Sequence, residues 1–362
     1  MTLSQTMKSY KGKTLPADAA AGLIFAFFAL FAFASPASSV MAQDVVYKLR
    51  DNGRTTKVNG RIPEVSADGV TIAGTKVPSY LVQKVAYGSE PPEIGDARDQ
   101  MESGRFSDAI DELRSIKINV GPKVKQEVDY IIAYSTAQIS LRGGGVTPKV
   151  AATAVKKFID SNPNSFHVIP AKDQFARLAF AAGLPDTAAK EFKKLQQTPW
   201  VEYKLKGYFH AGQMQIQLGK LDDAESSFKS ISGVDSNDST GQTYKLLAKV
   251  ELAKITGLRG NSDAAQKQLE EIIKQEDSSN KKLFAHLYNA LGAVHQKAGR
   301  LKEATRAYLH TELLYASETE AHAEAIYRLA VIWPKLEATD RANGARDLLK
   351  SRYRNSFWAS KL

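Results

Sequence analysis

Cysteine is absent from all 362 residues. Disulfides, thiolate nucleophiles, iron–sulfur clusters and cysteine-type zinc sites are therefore excluded. The lipid-acceptor residue that tethers a bacterial lipoprotein is missing for the same reason. Histidine is scarce: His167, His210, His286, His295, His310 and His322 are the whole set, and none stands in a His-Glu-x-x-His arrangement. His310 and Glu312 are close in the chain but point to different sides of a helix, which removes the one local pair with metal-ligand character. The glycine run at 143–145 lacks the Gly-Lys-Ser/Thr of a phosphate loop and reads as an inter-helix turn. Asp108, Asp111 and Glu112 cluster at a helix start and read as a solvated face. No nucleophile, base and orienting group stand together at a recognisable spacing. The expectation is a protein that is not an enzyme and uses no cofactor and no metal.

A dense basic arm is also lacking. Net charge is +10, but Lys and Arg are scattered among Asp and Glu, which argues against nucleic acid. Hydrophobic content of 43% and charged content of 24% are those of an ordinary globular chain. The positive balance favours anionic surroundings such as a wall polymer, a headgroup surface or an acidic protein.

Long apolar runs are limited to one, AAAGLIFAFFALFAFA at 19–34, preceded by Lys8, Lys11 and Lys13 and followed by small residues up to Ala42. This is the layout of a secretory signal over residues 1–42, with cleavage after Ala42. The run is shorter than the roughly 20 residues that cross a bilayer; an uncleaved N-terminal anchor is the alternative. Removing the three lysines and Asp18 takes the net charge from +10 to +8. Both readings place the remainder outside the cytoplasm, periplasmic or extracellular, with membrane contact only if the segment is uncleaved.

Residues 43–88 change texture. Val, Ile, Thr and Tyr alternate with glycine turns, predicting five strands at Val45–Leu49, Thr55–Val65, Val70–Ile72, Lys76–Pro78 and Val82–Ala86. So short a segment is expected to close a small β-barrel. The pieces V-x-G-R-I-x-E-V (58–65), D-G-V-T-I (68–72) and V-P-x-x-x-V-x-x-V (77–85) resemble SH3-like or Sm-like barrels at the head of bacterial envelope proteins. Such a module either caps the helical domain after it or binds a peptide or wall polymer. Residues 89–96, with Pro91-Pro92, then read as a linker.

From 97 to 362 the period becomes helical and a pattern recurs. Gly104, Gly183, Gly219, Gly260 and Gly299 are each followed five residues later by Ala109, Ala188, Ala224, Ala265 and Ala304. Nine residues after each glycine stand Leu113, Phe192, Phe228, Leu269 and Tyr308. Weaker copies fit at Ala154 and Ala345, giving spacings of 45, 34, 36, 41, 39 and 41. A fixed period of this size signals a solenoid. Seven residues before each glycine stands a small residue: Ala97, Ala176, Gly212, Ala253 and Gly292, with Ala330 in the last unit. Each unit is thus two closely packed helices joined by a left-handed glycine turn, about seven pairs in all.

The segment LYNALGAVHQKAGRLKEATRAY (287–308) resembles a tetratricopeptide repeat (TPR) through Leu291, Gly292, Gly299, Ala304 and Tyr308. Residues 208–228 resemble it through Tyr208, Gly212, Gly219, Ala224 and Phe228. Most units exceed the usual 34 residues. The segment at 156–176 is similar to the connector of exported bacterial repeat proteins, and Asn355-Ser356-Phe357 echoes it. The resemblance implies a concave groove lined by first helices, with Asp173, Arg177, Phe209, Gln213, Lys254, His286, Asn289, Gln296 and Lys297 in its exposed rows. It implies a non-enzymatic scaffold of the bacterial cell envelope holding a protein or peptide in that groove. The alternative is attachment to wall polysaccharide through the basic β module.

Overall fold

The computed structural model describes residues 43–50, 53–115, 120–236 and 238–362. The signal or anchor expected over 1–42 lies outside the described residues.

Among the described residues, six strands come first: β1 (Asp44–Leu49), β2 (Thr55–Gly60), β3 (Glu64–Ser66), β4 (Gly69–Ile72), β5 (Thr75–Pro78) and β6 (Val82–Ala86). They form two antiparallel three-stranded sheets, ordered β2-β1-β6 and β3-β4-β5. This corrects two expectations: the long second strand is broken, and no closed barrel forms. The cause lies at Arg61–Pro63, where a proline without an N–H cannot continue the ladder. The chain crosses here from one sheet to the other. Its freed backbone groups find side chains instead: Ile62 N donates to Asp44 Oδ2 at 2.8 Å, and Lys123 Nζ donates to the carbonyls of Ile62 and Pro63. Val46, Val70, Ile72, Val77 and Val85 fill the space between the sheets. They continue without a break into Ile94, Ala97, Ala109, Leu113, Val124 and Ile131 of the first helices.

Fourteen α-helices of the described residues follow as seven pairs: α1 (Pro92–Glu102) with α2 (Phe106–Ser115), α3 (Pro122–Leu141) with α4 (Pro148–Ser161), α5 (Val168–Ala181) with α6 (Pro185–Leu195), and α7 (Val201–Gln217) with α8 (Leu221–Ser232). Then come α9 (Ser239–Leu258) with α10 (Ser262–Gln275), α11 (Lys281–Lys297) with α12 (Leu301–Leu314), and α13 (Thr319–Ile332) with α14 (Thr339–Arg352). The first helix begins at Pro92, inside the segment read as a linker, because an N–H is not needed at a helix's first position.

The recurring pattern has the physical role assigned to it. The five motif glycines take φ of 77°, 80°, 72°, 104° and 74°, the left-handed turn between paired helices. In the last pair no glycine stands at the turn, and Glu337 makes it at φ 61° after an extra 3₁₀ turn at Trp333–Leu336. The five motif alanines are fully buried. Gly292 lies under the Tyr308 ring so closely that a Cβ there would come within 2.6 Å of it.

The solenoid also curls far enough for its last pair to reach its early ones. One apolar cluster joins Ala176 and Phe180 of α5 and Met214 of α7 to Ile326 of α13, Leu349 of α14, and Phe357 and Trp358 beyond it. The Asn355 side-chain amide donates to the carbonyls of Ser140, Gly144 and Val146 at 2.9–3.0 Å, and Arg354 Nε donates to Gly143 O at 2.8 Å. The glycine run read as a simple turn is therefore also the seat of the C-terminal segment.

Candidate functional site

The inward faces of α5, α7, α9 and α11 carry a line of polar side chains. Arg177 Nε donates to Asp173 Oδ2 at 3.0 Å, and its Nη2 donates to His210 Nε2 at 3.2 Å. With Nε2 accepting, the Nδ1–H of His210 donates to Gln213 Oε1 at 3.0 Å, and Gln213 Nε2 donates to Glu251 Oε1 at 3.3 Å. Glu251 faces Lys254 at 3.4 Å and His286 at 3.6 Å. α5, α7 and α9 each contribute a pair at i, i+3 or i+4, which shares one face of a helix turn, and α11 contributes His286 alone.

Burial fixes the protonation states along this line. It pushes the His210 pKa well down, and the adjacent Arg177 and Lys282 push it further, so the ring is neutral. Burial alone would raise the Glu251 carboxyl, but Lys254 and His286 hold it at about 2. Burial lowers Arg177 as well, yet the carboxylates of Asp173 and Glu320 more than offset that and keep it charged.

Five of the nine groove residues read from sequence, Asp173, Arg177, Gln213, Lys254 and His286, meet in this line. The other four do not. Phe209 is 0% exposed and packs against Phe228, Tyr244 and His286. Asn289 is buried and donates to Ala321 O at 2.8 Å, binding α11 to α13. Gln296 accepts a bond from the Tyr308 hydroxyl, and Lys297 is exposed at the end of its helix.

Two adjoining cavities open beside Asp173. One, of about 420 Å³, runs between α5, α7, α13 and the C-terminal segment and is lined by Arg177, Phe180, Glu320, Asn355 and Trp358 among others. The second, of about 470 Å³, is aromatic, with Phe106, Tyr130, Tyr134, His167, Trp200 and Tyr203 in its wall. Arg142, Asp173, Gln174 and Lys206 border both. Each is of a size that holds a small ligand or a peptide segment. Burial raises the pKa of Tyr130, Tyr134 and Tyr203, leaving neutral phenols. Trp200 is fixed by donating from Nε1 to Ser79 Oγ at 2.9 Å, which ties the β module to this wall.

Sequence reasoning missed Arg142, Gln174, Lys206, the tyrosines and Trp358. Only the C-terminal echo, Asn355-Ser356-Phe357, signalled that this end of the chain has a structural task.

No family model and no curated protein matches the sequence. Among solved structures, a tetratricopeptide repeat protein from Parabacteroides merdae is similar over 72% of this chain and 92% of that one, at 15% identity and TM-score 0.52. A Rap protein complexed with competence and sporulation factor covers 75% and 77%, at 11% identity and TM-score 0.47. The pilF protein of Pseudomonas aeruginosa covers 75% and 94%, at 12% identity and TM-score 0.33. The fold is TPR-like.

Proposed function

We propose that this chain is an exported, non-enzymatic interaction scaffold of the cell envelope that holds a peptide segment of a partner protein between α5, α7 and the C-terminal segment. The observation that carries the reading is Asp173, a residue that borders both cavities and is 3% exposed: one carboxylate oxygen is held by Arg177, and the other is buried with no hydrogen-bond partner among the described residues. A buried acceptor left unmade costs about 1–3 kcal/mol, a cost that a bound segment removes. The TPR-like fold supports the scaffold part. The export part rests on the charged, apolar and small-residue sequence of 1–42.

Site-specific photocrosslinking tests the first part. A photoreactive residue at Gln174 is expected to capture a defined partner in cells, whereas one at Lys297 is not. Equal capture from both positions, or none from Gln174, overturns the reading. Fractionation of the tagged chain, with sequencing of its N-terminus, tests export; a cytoplasmic chain beginning at Met1 refutes it.

A further inference from the structure

The charges around the two cavities do not cancel locally, and their pattern specifies a ligand. Arg177 lies between two carboxylates, 3.0 Å from Asp173 and 4.0 Å from Glu320. His210, neutral through burial and then through Arg177, adds no positive charge. Lys282, close enough to feel Arg177, Lys206 and Glu320, brings a second cation beside Glu320, so the deficit lies at the buried end, where Asp173 Oδ1 has no hydrogen-bond partner among the described residues. Lys206 does not neutralise it, because its ammonium is paired with Glu202 and lies over the Tyr203 ring, 4.4 Å from the centroid. That contact also shows the tyrosine wall receiving a cation.

Arg142 presents the opposite case. Its guanidinium lies over the Phe106 ring at 4.6 Å and has no carboxylate partner among the described residues. It borders the same two cavities as Asp173. Tyr134 stands between their fields: after burial, Arg142 lowers its pKa and Asp173 raises it. The unpartnered Asp173 Oδ1 and the uncompensated Arg142 guanidinium thus belong to residues bordering one shared space, lined by neutral phenols whose hydroxyls have no hydrogen-bond partner among the described residues.

We infer that this junction binds a short zwitterionic peptide, with an ammonium group on Asp173 Oδ1 among Tyr130, Tyr134 and Tyr203, and a carboxylate on Arg142. The inference rests on the peptide-binding reading above and names its ligand chemistry. A neutral sugar would leave both charges uncompensated, and an acidic peptide would place a second anion beside Asp173. Cavities of about 420 and 470 Å³ suit a peptide of a few residues. The ammonium is either an N-terminus or a lysine side chain.

Calorimetric titration of the full-length chain separates these cases. The probes are Lys-Ala-Ala, acetyl-Lys-Ala-Ala, Ala-Ala-Ala, acetyl-Ala-Ala-Ala, the Lys-Ala-Ala amide and cellobiose. Lys-Ala-Ala is expected to bind at least tenfold more tightly than acetyl-Ala-Ala-Ala and than its own amide. Acetyl-Lys-Ala-Ala and Ala-Ala-Ala then assign the ammonium to side chain or terminus. Asp173→Asn is expected to erase the preference for an ammonium, and Arg142→Gln the preference for a free carboxylate. Arg142 is solvent-exposed, so its variant remains informative where the buried Asp173 variant unfolds. Equal affinities across the peptides, tighter binding of cellobiose, or no binding of any peptide overturns the inference. If no peptide binds while Gln174 still captures a partner, the scaffold reading stands and the ligand chemistry alone is wrong. Peptide binding without capture upholds the ligand chemistry and removes the scaffold.

Discussion

The middle of the solenoid and the seam where its ends meet are built on different rules. From α7 to α12 the glycine, alanine and large apolar positions recur strictly, and one apolar cluster with members from Leu205 to Ala321 packs the units together behind the polar line. At the seam the pattern is weak: Ala154 and Ala345 lack a glycine five residues before them, and Glu337 does a glycine's work. There the apolar cluster is interrupted by two cavities. A repeat unit needs to match only its neighbours, so the middle is free to optimise packing alone. The seam must also join units distant in sequence, and Asp173 there keeps a carboxylate oxygen with neither hydrogen bond nor ion pair among the described residues, whereas Glu251 Oε2 of α9, likewise without a hydrogen bond, faces Lys254. Local rules broken without compensation inside the fold point to a task outside it.

The strongest test of this contrast is Phe209→Ala. Phe209 belongs to the middle's core, so its truncation is expected to cost about 3–5 kcal/mol, read from denaturant unfolding. Capture from Gln174 should persist wherever the protein remains folded. A stable variant that has lost capture would move Phe209 into the binding face and dissolve the distinction.

Much of the middle is legible in the sequence. Glycine-to-alanine spacing reports helix pairing because both residues act within one unit: the glycine through its positive φ, the alanine through complete burial. Phe209 misleads because its position falls in an exposed row of a standard repeat. Here the longer α9 brings Tyr244 over it, and α11 brings His286. Closure is not legible, since it arises from small rotations summed over seven pairs, and no local pattern records such a sum. The β strands are visible from alternation, whereas their division into two sheets depends on the single break at Pro63.

Asn355→Ala tests the seam itself. One amide shares its two N–H groups among three backbone carbonyls; Ser140 O keeps the Gly143 N–H, and leaving those of Gly144 and Val146 unpaired is expected to cost about 1–3 kcal/mol. Hydrogen exchange should rise around residues 139–147 and at the C-terminus while α7 to α12 stay protected. Uniform deprotection would mean that the ring opens and unfolds as a single unit, with no separate seam.

Acid sharpens the comparison further. The His210 pKa in the fold lies well below its ordinary 6.5, first through burial and then through Arg177 and Lys282. Between those two values the unfolded chain binds a proton that the folded chain does not, so stability falls as pH drops below 6.5, by about 1.4 kcal/mol per pH unit for one such group. His295 and His322, also lowered by burial, add to the same window. Glu251, depressed from 4.5 to about 2, stabilises above 4.5 and loses that contribution only as pH falls further. Unfolding measured between pH 6.5 and 4.5 therefore reads the histidines, opposed only by Glu312 among the shifted carboxyls, whose pKa burial raises. His210→Gln should flatten the slope, and an unchanged slope would assign the acid sensitivity to His295 and His322 instead.

The smallest expected effect discriminates most finely. Lys297 stands at the exposed end of α11, in the row that also holds Asn289 and Gln296. That row is a route to a groove only if the middle's inner face is open, and Asn289, buried on the Ala321 carbonyl of α13, closes it. Lys297→Ala should thus change stability by less than about 0.5 kcal/mol and leave capture from Gln174 unaltered. A tenfold loss of capture would transfer the binding face from the seam to the regular repeats, because the exposed Lys297 makes no hydrogen bond or ion pair among the described residues through which it could act indirectly.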